Sequence, residues 1–261
     1  MQTFLLHIED SRQIALFQLL AQQLGLEMNA LEDEIPPQHL PKAGPPASLA
    51  LYYPIKTAYN YEDILGVLAQ FPEDKKWTFS ELQDESIFPE TQCKKQLIAN
   101  QLYVMPNPST LHQKIVVRAS RYLDAFVDEH NLGDVYVAPV SVKIDEDNAL
   151  EPDIIFISVS KREGVGLQAI HTPPDLVVEV ISPANYKKLR EEKKALYADF
   201  GVSEYWEIYP KAKRLKIEIL SENEETHEKE YRLFSEAQET GLVHSRVLEG
   251  FSLDVEKIFR Q

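Results

Sequence analysis

One cysteine, Cys93, in 261 residues leaves no partner for an intramolecular disulfide and no thiolate set for a zinc site. A lone thiol suits a reducing, cytoplasmic setting. Long hydrophobic runs are missing too. No stretch approaches the roughly 20 apolar residues of a membrane span. Met1-Gln2-Thr3-Phe4-Leu5-Leu6-His7 is broken at once by Glu9 and Asp10, without the basic, apolar, small-residue order of a leader. No membrane partner is expected. Cations are in short supply: 27 Lys and Arg stand against 42 Asp and Glu, a formal charge of −15. General nucleic-acid binding draws on many cation–phosphate contacts, so that class is disfavoured. An enzyme whose acids hold a metal, with cations placed locally, is not.

What is present suits a globular protein with a sizeable core, in one large or two small domains. Residues 1–75 read as an N-terminal extension. It comprises a strand over 3–8, a helix from Asp10 or Ser11 to about Leu26, a Pro-rich linker near 29–48, a strand over 49–55, and a helix over 61–71 that Asn60 caps. From residue 76 to 261 the reading is a single domain. A helical turn starts at Ser80, a strand or hairpin arm covers 96–105, and Ser109 or Thr110 starts an amphipathic helix to about His130. Strands follow over 135–144, 154–157 and 176–181. A helix over 186–200 stops at Gly201, then a strand pair runs over 204–209 and 215–220. Further strands are expected over 230–234 and 243–248, with a closing helical turn over 255–259. Helix, three strands, helix and strand pair describe an α/β (α+β) core with mixed strand directions.

Two apolar runs in that core each begin with Pro-Asp: Pro152-Asp153-Ile154-Ile155-Phe156-Ile157 and Pro174-Asp175-Leu176-Val177-Val178-Glu179-Val180-Ile181. The second carries one carboxylate, Glu179, between valines. An acid inside an apolar strand is costly unless a cation, a proton or hydrogen bonds compensate it. If the two strands are antiparallel neighbours, the start of the first lies beside the end of the second, and Asp153 meets Glu179. Asp175, four residues before Glu179, is about 13 Å away along its strand and reads as a strand-entry residue. Two oxygen ligands with open positions suit Mg²⁺ or Mn²⁺. On the following helix Leu189, Lys193, Leu196, Tyr197 and Phe200 share one face, so Lys193 is the only charge on a stripe that should pack on the sheet. The bland alternatives are a Pro-Asp turn, a structural Glu179–Lys193 ion pair, and a lysine that snorkels to solvent. Lys187, Lys188, Arg190 and Lys194 make the densest basic cluster, either a nucleic-acid-binding patch or a solvated helix surface.

The same residues carry a family resemblance. Val137-Ala138-Pro139-Val140, Glu151-Pro152-Asp153, the run from Pro174 to Pro183, Glu192-Lys193 with Tyr197, and Gly201-Val202-Ser203-Glu204-Tyr205-Trp206 resemble the Uma-two family of PD-(D/E)XK, restriction-endonuclease-like proteins. The likeness spans roughly residues 77 to 260, including Met105, His112 and Ser245 to Phe251. It implies an αβββαβ core with a mixed central sheet, Asp153 and Glu179 as metal ligands, and Lys193 as the motif lysine moved from strand to helix. His112, Gln96 and Tyr197 are candidate supporting residues. Three positions depart from the family pattern: Gln96 stands where an acid is usual, Asn100 where glycine is usual, and Leu189 where Asp is common.

The expected function is a Mg²⁺- or Mn²⁺-dependent endonuclease hydrolysing DNA phosphodiester bonds. Asp153 and Glu179 would bind the metal and Lys193 would stabilise the transition state. The alternative is a catalytically degenerate nuclease fold serving as a binding or assembly module, which Gln96 motivates. DNA is the expected partner, and a homodimer is left open.

Overall fold

The computed structural model describes residues 61–88, 93–182, 187–224 and 226–260. The two strands, the helix and the linker expected before residue 60 lie outside the described residues. So does the cap at Asn60.

Helix α1 (Tyr61–Leu68) and the short helix α2 (Phe79–Leu82) come first. The turn expected at Ser80 starts one residue earlier. Thr78 Oγ1 accepts from the Glu81 N–H while the Glu81 carboxylate accepts from the Thr78 N–H, a reciprocal cap. Strands β1 (Lys94–Ile98) and β2 (Gln101–Met105) form a hairpin. Its two loop residues, Ala99 and Asn100, both have positive φ, 49° and 64°, as a primed two-residue turn requires. Asn100 therefore satisfies the backbone demand that glycine would meet in that place. Its side chain also donates to the Trp77 carbonyl and to Asp147.

Helix α3 (Thr110–Glu129), capped by Ser109, leads into β3 (Gly133–Val137). The single strand expected over 135–144 is instead two. Pro139 has no N–H to give a sheet ladder, and the chain leaves one sheet after Val137 and enters another at β4 (Ser141–Lys143). After the turn at Asp145–Asn148 come β5 (Ala149–Leu150), β6 (Ile154–Ser158), a 3₁₀ turn (Val159–Gly164), β7 (Ala169–Ile170) and β8 (Leu176–Val180). Helix α4 (Lys187–Phe200) follows, then β9 (Glu204–Tyr209), β10 (Arg214–Glu222) and β11 (Lys229–Gln238). Strands β12 (Leu242–His244) and β13 (Ser252–Asp254) pair as a ribbon before helix α5 (Val255–Phe259). The strand expected over 243–248 thus ends at His244. The helix expected over 61–71 ends at Leu68.

Six strands make the central sheet in the order β11-β10-β9-β8-β6-β3. Only β8 and β9 run parallel in it, and α4 makes the crossover that a parallel pair needs. The expected αβββαβ order is therefore α3, β3, β6, β8, α4 and β9. The second sheet, β2-β1-β5-β4-β7, is built largely from two- and three-residue strands. Helix α1 belongs to its cluster: Ile64 is buried with Trp77, Phe79, Leu82, Phe88 and Leu97.

Strand parity assigns the two faces of the central sheet. Ile154, Phe156, Leu176, Val178, Val180, Trp206 and Ile208 pack on Ile115, Ala119 and Leu123 of α3 and on α5. Val177 and Tyr205 face the other way, against Tyr197 and Leu189 of α4, and Ile155 and Ile157 face the second sheet. A sheet covered on both faces explains why β6 and β8 read as unbroken apolar runs.

Glu204 calibrates what a buried acid can mean here. It is fully buried on the α3 face, where it accepts from Trp206 Nε1 at 2.6 Å and from the N–H groups of Arg246 and Val247 at 2.7 and 3.0 Å. It ties the 245–248 turn to the sheet. Glu204→Ala strands three donors, the buried Trp206 indole among them, and is expected to cost on the order of 3 kcal/mol in urea unfolding. A loss below about 1 kcal/mol would contradict that role.

Candidate active site

Asp153 and Glu179 come together through the β6–β8 register. Ile154 pairs with Val178, Ile155 with Val177 and Phe156 with Leu176, so the next step outward sets Asp153 beside Glu179. Backbone bonds extend that ladder, with the Asp153 N–H donating to the Val178 carbonyl. Asp153 Oδ2 accepts from the Val180 N–H at 2.7 Å, which fixes the carboxylate against the neighbouring strand. Both acids are only 4 % exposed. By parity both face the α4 side of the sheet.

Lys193 is buried and forms an ion pair with Glu179, as its position on the apolar stripe of α4 predicts. One turn on, the Tyr197 hydroxyl donates to Glu179 Oε1 at 3.1 Å. Burial lowers the proton affinity of the Lys193 amine, with Glu179 opposing the shift. Burial and the adjacent Glu179 carboxylate hold Tyr197 far above an ordinary phenol, so it stays a donor. His112, on the first turn of α3, brings Nε2 to 3.2 Å from Asp153 Oδ1, with the imidazole N–H as donor to an ionised acceptor.

Lys94 has no place in the sequence reading. From β1, in the other sheet, it sets its Nζ 2.9 Å from Asp153 Oδ1. Burial alone would lower its proton affinity, but the Asp153 and Glu179 charges outweigh that and raise it. Burial likewise works against the Asp153 anion, and Lys94 and His112 overcome it, pulling Asp153 well below the usual carboxylate range. The only sequence signal is parity: Lys94 and Gln96 alternate on one side of β1. Gln96 is 2 % exposed, and its Oε1 has no hydrogen-bond partner.

These groups share the floor and walls of a cavity of about 1470 Å³. Lys94, Gln96, His112, Asp153, Glu179 and Lys193 all line it, and most of the remaining lining is apolar. The basic cluster divides. Arg190 lies 3.5 Å from buried Glu207, and Lys194 pairs with buried Glu218. Lys187 and Lys188 stay exposed, each in a loose i,i+4 pair with Glu191 or Glu192. Asp175 sits at the strand entry, where it accepts from the Ser158 N–H and pairs with Lys161.

Glu151 is a further buried acid, two residues before Asp153. It accepts from the Lys95 N–H at 3.1 Å and from the Ser141 hydroxyl at 3.3 Å. Burial pushes its pKa up to about 7, against the pull of Lys94 and Lys95. The unfolded chain releases this proton near 4.5, so between the two values the folded state binds more protons, and stability falls as pH rises from about 4.5 to 7. The expected loss is on the order of 3 kcal/mol. Urea unfolding across that range should show Glu151→Gln with a flatter profile than wild type. Parallel profiles would exclude Glu151 as the source.

The family Uma2, described as "Putative restriction endonuclease", matches residues 79–256. The fold is similar to the crystal structure of "a putative nuclease belonging to DUF820" from Anabaena variabilis. The TM-score is 0.55 at 17% sequence identity, covering 69% of this chain and 97% of that one. At that identity the likeness is one of fold. No curated protein matches the chain. Among the described residues no helix is long and apolar enough to cross a membrane. With the family match spanning well over half of its length, the chain belongs to the Uma2 family.

Proposed function

We propose that the protein is a divalent-metal-dependent nuclease that hydrolyses DNA phosphodiester bonds at the Asp153–Glu179 site. The observation that carries this reading is the β6–β8 register, which sets two buried carboxylates side by side on a cavity with Lys193 over them.

The donor set fits Mg²⁺ or Mn²⁺. Both ions take hard oxygen ligands and leave positions for water and phosphate. Asp153 and Glu179 supply two carboxylates, and the Gln96 amide oxygen, buried without a partner on the same cavity, is a neutral third. Among the described residues there is no cluster of three His, Cys, Asp or Glu that could hold a metal, so this site rests on two carboxylates and neutral oxygens. A cation held there would supply Lewis acidity toward a phosphoryl oxygen and favour ionisation of a nearby water.

The chain's own groups do the rest. The Val180 N–H and His112 hold Asp153 in one orientation, and Tyr197 does the same for Glu179. Lys193, with its proton affinity lowered by burial, faces the cavity as a cation for the charge that develops on the phosphoryl group. Lys187 and Lys188, the exposed members of the basic cluster, are the cations free to meet the phosphate backbone; Arg190 and Lys194 reach it only by leaving their glutamates.

Purified full-length protein incubated with DNA and Mg²⁺ or Mn²⁺ is expected to yield cleaved products. Asp153→Ala should lose at least a hundredfold in rate, about 3 kcal/mol of barrier. Equal products from both proteins would sink the proposal.

A second reading has one specific observation behind it. Two lysines already neutralise the two acids, and the usual third acid is Gln96. A degenerate nuclease fold used for binding would show no saturable Mn²⁺ uptake by calorimetry, and DNA would be bound without being cut.

A further inference from the structure

Lys94 and a metal ion would compete for the same oxygen. Of the two Asp153 oxygens, Oδ2 is held by a main-chain N–H of β8 that moves only with the sheet. The other, Oδ1, is held by two side chains, Lys94 at 2.9 Å and His112 at 3.2 Å. A cation that ligates Asp153 through Oδ1 therefore meets an ammonium group already there. Two positive charges crowd each other at one carboxylate oxygen, since at about 4 Å their repulsion in a partly buried site is roughly fourfold what it is in bulk water.

The lysine has somewhere to go. Its side chain is 19% exposed and lines the cavity, so its four-carbon stem can swing the ammonium into the open part of the groove while β1 stays in place. Lys193 lines the same cavity but is held more tightly. It is 9% exposed and locked onto Glu179 from a helix packed on the sheet. The two lysines are thus unequal: Lys193 belongs to the scaffold of the site, and Lys94 is a removable counter-ion.

We propose that Lys94 is a built-in competitor for the divalent cation. Its ammonium closes the metal-free site by pairing with Asp153 and must withdraw into the groove before a cation can ligate that residue. The inference rests on the metal-site reading above. It adds a consequence that reading lacks: removing a site residue should tighten metal binding.

The test is Mn²⁺ titration by calorimetry on the full chain, comparing wild type, Lys94→Met and Lys94→Gln, each with and without Asp153→Ala. Lys94→Gln keeps a hydrogen-bond donor for Asp153 and removes only the charge, so it guards against a folding failure in Lys94→Met. Both variants should bind Mn²⁺ about tenfold or more tightly than wild type, and Asp153→Ala should erase the gain. In thermal melts the metal-free variants should lie below wild type and rise further on adding Mn²⁺. Saturable wild-type binding that Lys94→Gln leaves equal or weaker overturns the role of Lys94 while keeping the metal site. No saturable binding by any of the proteins overturns both.

Discussion

The register between β6 and β8 is the constraint on which the site depends. A slip of one residue would turn every side chain of one strand to the opposite face. Glu179 would then enter the apolar cluster around Ile115, Ala119 and Leu123, away from Lys193 and Tyr197. The apolar residues alone do not enforce the register. Val178 and Val180 fill the α3 face while Val177 fills the α4 face, and shape alone could tolerate their exchange. What cannot be exchanged is the polar set: Glu179 under Lys193 and Tyr197, and Asp153 Oδ2 on the Val180 N–H. The two buried acids thus help to specify the fold that positions them.

Helix α4 meets a row of buried acids, not one. Glu179, Glu207 and Glu218 lie on three neighbouring strands, each at most 4 % exposed. Glu179 and Glu207 are direct partners in the parallel β8–β9 ladder, and Lys216 of β10 bridges Glu207 and Glu218. Lys193, Arg190 and Lys194 come down on the row from one helix. Truncating one partner of such a pair leaves a buried charge uncompensated, which typically costs 3–5 kcal/mol, so these residues hold α4 to the sheet whatever else they do. That is also why a dense basic cluster in an acidic chain is an ambiguous sign. Half of this cluster is spent on the protein's own buried carboxylates.

Some of this was legible in the sequence and some was not, for physical reasons. Asp153, Glu179 and Lys193 could be placed together because strand parity, antiparallel pairing and helical spacing are local rules. The break at Pro139 was also local: a residue without an N–H stood in the middle of an expected strand. Of the second sheet only the hairpin arm over 96–105 was in reach, since β4, β5 and β7, of two or three residues, carry no periodicity, and β1 joins β5 through the single pair Leu97 and Ala149. Lys94 was lost with it. Lys94 and Lys95 stand just before the arm expected over 96–105, and nothing local says that one of them crosses to an acid 59 residues later in the chain. Glu204 shows the converse limit. It has the same composition signal as Glu179, an acid in an apolar strand, and it answers to neutral donors with no part in the site.

The balance of charge at the site follows from these placements. Asp153 and Glu179 face Lys94 and Lys193, two negative charges against two positive, so the fold does not need a metal to bury its acids. Structural metal sites work the other way, with ligands that leave the chain unfolded until the ion arrives. A site closed by its own lysines can fold first and take a cation later, at the cost of weaker binding. Gln96 pushes in the same direction, because at the proposed metal site its amide oxygen would add a ligand without adding charge. An acid there would make the cluster net negative and draw a divalent ion in strongly. With glutamine the cluster stays near neutrality. The chain's excess of acidic residues therefore does not accumulate at the Asp153–Glu179 site, the one place in the proposed mechanism where a phosphate, itself an anion, must approach.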